Sequence, residues 1–230
     1  MPLNESKGNM YAFVTHTWNT VKGRCPHDCS YCYMKRWGEQ GPLRFDKKEL
    51  KTDLKTGNFI FVGSSCDMWA EKIPIRWINE TLNYCIRQER GNKFLFQSKN
   101  PERFNNWAFP EYTTVGSTIE TNRIYPQMGG APNPQKRANA LNYIDFGLSV
   151  MVTIEPVMDF DLRELLELID LCRPNWVNIG ADSGGHKLSE PPAEKVLELI
   201  AELSKFTEVK IKKNLKRILG RVWGQLPKKS

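Results

Sequence analysis

The sequence predicts an α/β fold built as a partial, incomplete TIM-type barrel of six to seven βα units with parallel strands. Short, almost continuously apolar segments alternate with amphipathic ones, which is typical of strands buried on both faces and joined by right-handed crossover helices. The chain has 230 residues, whereas a complete eightfold barrel typically takes about 250. An open, doubly wound sheet is the alternative architecture.

Seven segments are predicted as strands because apolar residues dominate them. They are Met10–Thr17, Phe59–Gly63, Lys93–Ser98, Thr113–Glu120, Leu148–Glu155, Trp176–Gly180 and Val209–Lys213. Segments with apolar residues at helical spacing lie between them and are predicted as helices. These are Arg76–Arg90, Pro134–Phe146, Leu162–Cys172 and Pro191–Lys205.

The positive charge of the chain is concentrated at its C-terminal end. The net charge is +7, yet residues 205–230 carry nine Lys and Arg against a single Glu. We expect one domain over residues 1–230, with a basic C-terminal segment over 205–230. This segment suits contact with nucleic acid or another acidic surface, and a solvated, solubilising end is the alternative.

The chain has no apolar run of the roughly 18 residues that a membrane span needs. Its first ten residues also lack the charged start and apolar stretch of a secretory signal. We therefore expect a cytoplasmic protein with no membrane partner, in which the cysteines are reduced.

Polar residues follow the predicted strands at their C-terminal ends, where βα folds carry their chemistry. In strand order they are Ser64 to Asp67, Lys99, Glu120, Glu155, and Asp182 with Ser183. This regular placement predicts an active site at one end of the barrel, and it does so independently of the cysteines.

Three of the six cysteines lie within eight residues, as Cys25, Cys29 and Cys32 in the spacing C-x3-C-x2-C. Clustered cysteines in a reduced protein indicate a metal centre. A closed zinc site needs a fourth ligand, for which His16 is a better candidate than His27 inside the tight loop. Three thiolates on a four-iron cluster would instead leave one iron open to a small molecule.

This loop, with Tyr31 directly before its last cysteine, resembles the radical S-adenosylmethionine (radical SAM) superfamily. Further motifs are similar to segments of a radical-SAM-like family that is common in phages and prokaryotes and distantly related to spore photoproduct lyase. The motifs span nearly the whole chain, at Thr17–Asn19, Lys99–Arg103, Val115–Asn122, Thr153–Pro156 and Trp176–Gly184.

The resemblance implies an oxygen-sensitive enzyme in which Cys25, Cys29 and Cys32 hold a 4Fe-4S cluster and S-adenosylmethionine (SAM) docks on its fourth iron. Reductive cleavage of SAM would give a 5′-deoxyadenosyl radical that abstracts a hydrogen atom from a substrate. A flavodoxin- or ferredoxin-type protein would donate the electron. The basic C-terminal segment and the distant lyase relation favour a nucleotide or nucleic acid as the substrate.

The resemblance also implies roles for residues that bind SAM. Tyr31 is expected to pack on the cluster or the adenine. Ser64 and Ser65 are expected to hold the methionine amino group, although Gly63-Ser-Ser replaces the family's usual glycine-rich motif and turn chemistry alone also explains it. Lys99 is expected to meet the SAM carboxylate, with an ordinary surface lysine as the alternative.

Two strand-end carboxylates are expected to contact SAM as well. Glu120 would accept the ribose hydroxyls, and Arg123 would pair with the SAM carboxylate or with Glu120; a structural ion pair is the alternative. Glu155 would hold the SAM ribose or the substrate, because a carboxylate at the end of an apolar strand needs a partner. Asp182 and Ser183 are expected near the adenine edge.

Cys66 is the candidate catalytic residue, since a thiol at this strand end is placed to return a hydrogen atom to a product radical, as a cysteine of spore photoproduct lyase does. A buried, unreactive thiol is the alternative, and this is also our interpretation of Cys85 and Cys172. Three residues after the last strand are expected to face the open side of the barrel and contact an anionic substrate. They are Lys212, Lys213 and Asn214.

Two other functions are compatible with the sequence. A non-catalytic zinc or iron–sulfur protein that binds nucleic acid predicts a closed four-ligand site and steeply salt-dependent binding. A degenerate family member would bind the cluster and SAM for a structural or sensing role.

Overall fold

The computed structural model describes residues 2–145 and 147–226. Its strands are β1 (Asn4–Glu5), β2 (His16–Trp18), β3 (Val21–Lys22), β4 (Arg44–Phe45), β5 (Phe59–Val62), β6 (Lys93–Ser98), β7 (Thr113–Thr118), β8 (Ser149–Ile154), β9 (Trp176–Ile179) and β10 (Glu208–Ile211). Its α-helices are α1 (Ile75–Arg87), α2 (Pro134–Asn142), α3 (Leu162–Leu171), α4 (Ala193–Leu203) and the short α5 (Lys216–Leu219).

The main sheet has the strand order β1-β2-β5-β6-β7-β8-β9-β10. Neighbours from β2 to β10 are parallel, and β1 adds to the edge antiparallel to β2. The order has no reversal of the kind that defines a doubly wound sheet, because each parallel strand lies beside the next one in the chain. The predicted incomplete barrel with parallel strands is confirmed, and the doubly wound alternative is wrong.

Side chains of each strand alternate between two apolar layers. In β6, Phe94 and Phe96 lie in the core between the sheet and the outer helices, whereas Leu95 points into the barrel interior. In β8, Val152 lies in the outer core and Met151 in the interior. Burial on both faces explains why these strands are continuously apolar in the sequence.

The N-terminal apolar segment fills the barrel interior instead of forming most of the first strand. Strand β2 begins at His16, whereas the prediction began it at Met10. Tyr11 and Val14 are buried among the interior side chains of β6 and β8, and a turn closes between them, from the Val14 N–H to the Tyr11 carbonyl at 3.0 Å. We call residues 10–15 the interior plug. Its side chains are apolar because they pack inside the open barrel.

An insertion between β2 and β5 takes the place of the first barrel helix. Strands β3 and β4 form a small antiparallel sheet of their own, and the three clustered cysteines lie between them. The Lys22 ammonium on β3 lies 2.8 Å from Asp46 and 2.6 Å from Glu49, which ties the two arms of the insertion together. The apolar periodicity of the sequence did not predict this hairpin, whose strands have two residues each.

The remaining elements lie close to their predicted positions. Helix α2 ends at Asn142, before the predicted end at Phe146, a residue outside the described part of the chain. Strand β10 is followed by the 3-10 turn Lys213–Leu215 and by α5, so the basic C-terminal segment is largely folded as far as residue 226; residues 227–230 lie outside the described part.

None of the described helices is both long and apolar enough to span a bilayer.

Candidate functional site

The three clustered cysteines sit on one compact loop next to the carboxyl end of β2. Successive turns shape this cysteine loop, residues 23–32: the Asp28 N–H donates to the Cys25 carbonyl at 3.1 Å, and the Cys32 N–H donates to the Cys29 carbonyl at 3.2 Å. Cys29 is buried and its thiol donates to the Met128 carbonyl at 3.2 Å, whereas Cys25 and Cys32 are half-buried. The three predicted ligand residues therefore lie on one loop.

Two glycines after β7 hold this loop from the other side. The Gly130 N–H donates to the His27 carbonyl at 2.7 Å, and the Ser30 N–H donates to the Gln127 carbonyl at 2.9 Å. Gly129 has a φ of +63°, and a Cβ on it would lie 2.1 Å from the His27 carbonyl oxygen. Only a glycine permits this approach of the two backbones.

His27 anchors the cysteine loop to the ends of two strands. Its ring is buried, with Nε2 2.8 Å from an oxygen of Asp67, which also accepts from the Ser98 hydroxyl and the Lys99 N–H at 2.9 Å each. Burial lowers the pKa of His27, but the hydrogen bond and charge of Asp67 outweigh it and raise that pKa. The ring is thus engaged with Asp67 through Nε2.

Cys66 lies at the end of β5 in contact with the cysteine loop. Its thiol forms a hydrogen bond with Cys25, and this bond lowers the pKa of Cys25 to about 6 against the opposing effect of burial. The same bond, followed by burial, raises the pKa of Cys66. Burial raises the pKa of Cys29 and of Cys32. Among the three loop cysteines, Cys25 therefore loses its proton most readily. Cys66 is a fourth thiol beside them.

The three cysteines of the loop offer sulfur donors. Thiolates of this kind select zinc, copper(I) or iron–sulfur clusters over harder ions. Within residues 2–145 and 147–226, no three His, Cys, Asp or Glu side chains converge tightly enough to hold a single metal ion. The sulfur donor chemistry fits an iron–sulfur cluster.

A buried cluster of charges lies next to the loop, around Glu120. This carboxylate is fully buried, and it accepts from the Tyr31 hydroxyl, from the Lys99 ammonium and, at 2.7 Å, from the guanidinium of Arg137. The Lys99 ammonium also donates to the Tyr31 hydroxyl at 2.8 Å. Burial raises the pKa of Glu120, but Arg137 and Lys99 outweigh it and lower that pKa to about 2. Glu120 is therefore ionised, and protein donors occupy both of its oxygens.

The expected pairing of Arg123 with Glu120 is not formed. Arg123 instead pairs with Asp159 and, at 2.8 Å from its Nε, with Asp161. Arg137 on α2 stands next to Glu120 in its place. Arg137 was not among the predicted site residues, and its one available signal is its position on the face of α2 that also carries the buried Ala138 and Leu141.

The predicted serines lie in the turn that follows β5. The side-chain oxygen of Asn19 accepts from the Ser65 N–H at 2.8 Å and from the Ser64 hydroxyl at 3.3 Å. The Tyr33 hydroxyl donates to the Ser64 carbonyl at 2.6 Å. Tyr33 comes directly after Cys32, so this contact places the serine turn beside the cysteine loop.

A second polar group, the Glu155 cluster, forms on the other side of the barrel mouth. One oxygen of Glu155 accepts from the Asn9 and Asn214 amides at 2.8 Å each, and the other lies 2.6 Å from the Lys212 ammonium. Asn214 also donates to the Ser183 hydroxyl at 3.1 Å. Four residues predicted separately are thus brought together. Asn9 was missed because nothing in its local sequence links it to strands so distant in the chain.

Two other predicted residues play different parts. Asp182 is buried and accepts from the Gly184 N–H at 2.9 Å and from the backbone and ring of His186 at 2.6 and 2.7 Å, so it holds its own loop together. Lys213 is exposed at the start of the 3-10 turn after β10. Asp182 therefore shapes the rim of the site, and Lys213 adds charge to it.

The interior plug reaches up to the Glu155 cluster. The Tyr11 hydroxyl lies 2.8 Å from Gln97 and 2.8 Å from Thr153, and the Lys212 ammonium lies 4.7 Å from the centre of its ring. The cysteine loop and the Glu155 cluster thus stand at the carboxyl ends of the parallel strands, above a floor that the plug helps to form.

Comparison of the whole fold with solved structures finds spore photoproduct lyase. One mutant of that enzyme aligns with a TM-score of 0.64 over 89% of this chain and 78% of its own, at 11% identity. The chain shares the fold of spore photoproduct lyase. A second mutant, with bound AdoMet and dinucleoside spore photoproduct, aligns with a TM-score of 0.62 over the same shares and at the same identity. No protein-family model and no curated protein sequence matches the chain.

We expect Gly129→Ala to disrupt the cysteine loop. The added Cβ meets the His27 carbonyl and a positive φ disfavours alanine, a combined cost of about 1–3 kcal/mol. The measurement is iron bound per chain after anaerobic reconstitution with iron and sulfide, which should fall. Gly224→Ala is the control, because a Cβ there meets nothing within 4 Å. Equal iron content in the two variants would show that the close approach is unimportant.

We expect Glu120→Gln to lower the free energy of unfolding by about 3–5 kcal/mol at neutral pH, because it leaves Arg137 buried without its counter-charge. The difference from the wild type should persist above the ordinary pKa of 4.5 and shrink as the pH falls towards about 2, where Glu120 itself becomes protonated. Urea unfolding measured across this range gives both quantities.

The matched control for Glu120→Gln is Glu167→Gln, which breaks the exposed pair with Arg163 on α3. Exposed pairs of this kind contribute at most about 1 kcal/mol. A Glu120 variant as stable as this control would contradict the assignment of a buried, ionised carboxylate.

Proposed function

We propose that the protein is a radical SAM enzyme. The observation that carries the proposal is the position of Cys25, Cys29 and Cys32 on one loop beside the carboxyl end of the first parallel strand. That strand belongs to an incomplete barrel with the fold of spore photoproduct lyase. In parallel βα barrels this end of the sheet carries the chemistry.

The three cysteines would hold a 4Fe-4S cluster. Cys25 is closest to the required thiolate form, because its pKa is lowered to about 6. When bound and reduced, such a cluster supplies the electron that cleaves SAM to methionine and a 5′-deoxyadenosyl radical. The chain contributes the sulfur ligands and, through the His27–Asp67 pair and the Gly129 contact, the shape of the loop that presents them.

Lys99 and the serine turn would orient the methionine part of SAM. An ammonium has three N–H donors, and in the described part of the chain Nζ of Lys99 is bonded to Tyr31 and Glu120. One donor is left for a carboxylate. Ser64 and Ser65, half-buried beside the cysteine loop, would accept from the amino group.

The other predicted contacts divide between direct and indirect roles. Glu155 would accept the ribose hydroxyls or the substrate at the opposite side of the mouth. Glu120 would act through Lys99, whose ammonium it positions, and Tyr31 would pack beside the cluster. Arg123 is left out of the proposed SAM site because Asp159 and Asp161 already neutralise it.

The substrate we propose is a nucleotide or nucleic acid. The support comes from the basic residues that follow β10, including the exposed Lys213 and Lys216 at the rim of the barrel. One relative by fold is described with a bound dinucleoside photoproduct. A cytoplasmic flavodoxin- or ferredoxin-type protein would supply the electron.

We expect the anaerobically reconstituted protein to convert SAM to 5′-deoxyadenosine when reduced with dithionite, with the nucleoside measured by liquid chromatography. Alanine at Cys25, Cys29 or Cys32 should abolish both the cluster absorption and the product. Cys172→Ala, in the core at the end of α3, is the control and should retain both. Tightly bound zinc in place of iron, or a cluster without SAM cleavage, would contradict the proposed activity.

Cys66 is proposed to return a hydrogen atom to the product radical, since it lies buried between the serine turn and Cys25. Its S–H bond breaks as the C–H bond of the product forms, and the thiyl radical left on Cys66 would be reduced by one electron from the flavodoxin- or ferredoxin-type donor with uptake of a proton from water. In D2O the thiol exchanges its proton for deuterium, so a product formed from a deoxyoligonucleotide should gain deuterium, measured by mass spectrometry. We expect Cys66→Ala to keep its iron and its SAM cleavage but to lose this label. Deuterium retained in the variant would refute the donor role.

A further inference from the structure

An exposed stack of aromatic and guanidinium groups follows the cysteine loop. The 3-10 turn Tyr33–Trp37 begins directly after Cys32 and contains no buried residue. Trp37 is 69% exposed and Tyr33 is 42% exposed. The Arg36 guanidinium lies 5.1 Å from the ring centre of Trp37 and 5.8 Å from that of Tyr33, so it bridges the two rings. We call these three side chains the aromatic–arginine stack.

The stack starts at the candidate active site and leads away from it. The Tyr33 hydroxyl is bonded to the Ser64 carbonyl at the end of β5, which fixes the inner end of the stack beside the cysteines. Trp37 forms the outer end. A large aromatic side chain exposed to this degree buries little apolar area within the chain, which leaves its ring face open to a ligand.

The surroundings of the stack are positively charged. Residues 22–48 contain seven Lys and Arg against three Asp and Glu. Glu39 is the acid nearest to the stack in the sequence, and Asp28, on the N-terminal side of the stack, is bound by Lys35 and Arg24 at 2.9 Å each. Among the described residues, Arg36 has no carboxylate partner, so its charge is available to a ligand.

We propose that the aromatic–arginine stack is a docking surface for single-stranded nucleic acid. This inference rests on the proposed function, because it names the class of substrate that would be led to the barrel mouth. Bases of any sequence stack on exposed aromatic rings and on guanidinium planes, while the neighbouring basic residues neutralise phosphates. An acidic protein would match the charge of this surface, but it would not use the planar faces.

The test is binding of a fluorescein-labelled oligothymidylate of roughly a dozen nucleotides, a common site size for a single domain. Fluorescence anisotropy is measured anaerobically on the reconstituted full chain, without SAM. Trp37→Ala should weaken binding about ten-fold, whereas Trp37→Phe should stay close to the wild type because a stacking face remains. The matched control is Tyr143→Ala at the end of α2, a residue 77% exposed, and it should bind as the wild type does.

The salt dependence provides a second measurement. The logarithm of the binding constant should fall linearly with the logarithm of salt concentration, and Arg36→Gln should make this slope shallower by roughly 0.7, the value for one phosphate contact on a single strand. Circular dichroism of each variant verifies its fold.

Equal affinity of Trp37→Ala and Tyr143→Ala would overturn the proposal. So would the absence of oligonucleotide binding together with Trp37-dependent binding of an acidic electron-transfer protein such as flavodoxin. The binding assay contains no SAM and measures no turnover. A failure here is therefore separate from a failure to form 5′-deoxyadenosine, which concerns the proposed enzyme activity alone.

Discussion

The buried pair of His27 and Asp67 ties the cysteine loop to the sheet, and the arrangement of the candidate site depends on it. Asp67 follows β5 and also accepts hydrogen bonds from Ser98 and Lys99 at the end of β6. The loop is therefore attached to two parallel strands at once. Removal of His27 would leave the Asp67 carboxylate without one of its hydrogen-bond partners, which destabilises a buried charge. The same contacts place Cys66, the neighbour of Asp67, against Cys25.

The charged residues at the barrel mouth form two groups, and in each group a carboxylate is paired with at least one cationic side chain of the same group. Glu120 faces two cations, Arg137 and Lys99, and Glu155 faces Lys212 together with two amides. Such networks fix the positions of their side chains before any ligand arrives, and a preorganised site avoids the cost of ordering them later. The group around Glu120 lies next to the cysteine loop, and the Glu155 cluster lies on the other side of the mouth.

The sequence predicted the sheet well because the relevant patterns are local. Continuous apolar runs located β5 to β9, and the polar residues after them located the site. The features that the sequence did not predict depend on packing between segments that are distant in the chain. Residues 10–15 were predicted as a strand because an apolar segment that packs inside a barrel has the same sequence pattern as a buried strand. Arg137 was missed because its partner lies 17 residues away on another element. The contact of Cys66 with Cys25 likewise has no sequence signature.

The interior plug has a consequence for synthesis on the ribosome. Its residues leave the exit tunnel well before their partners, because Tyr11 bonds to Thr153 and Phe13 packs edge-on against Trp176, with ring centres 5.4 Å apart. These partners are translated some 140 to 160 residues later. The nascent chain must therefore carry an unpartnered aromatic segment until those partners emerge, and such a segment is a target for a chaperone that binds near the tunnel mouth.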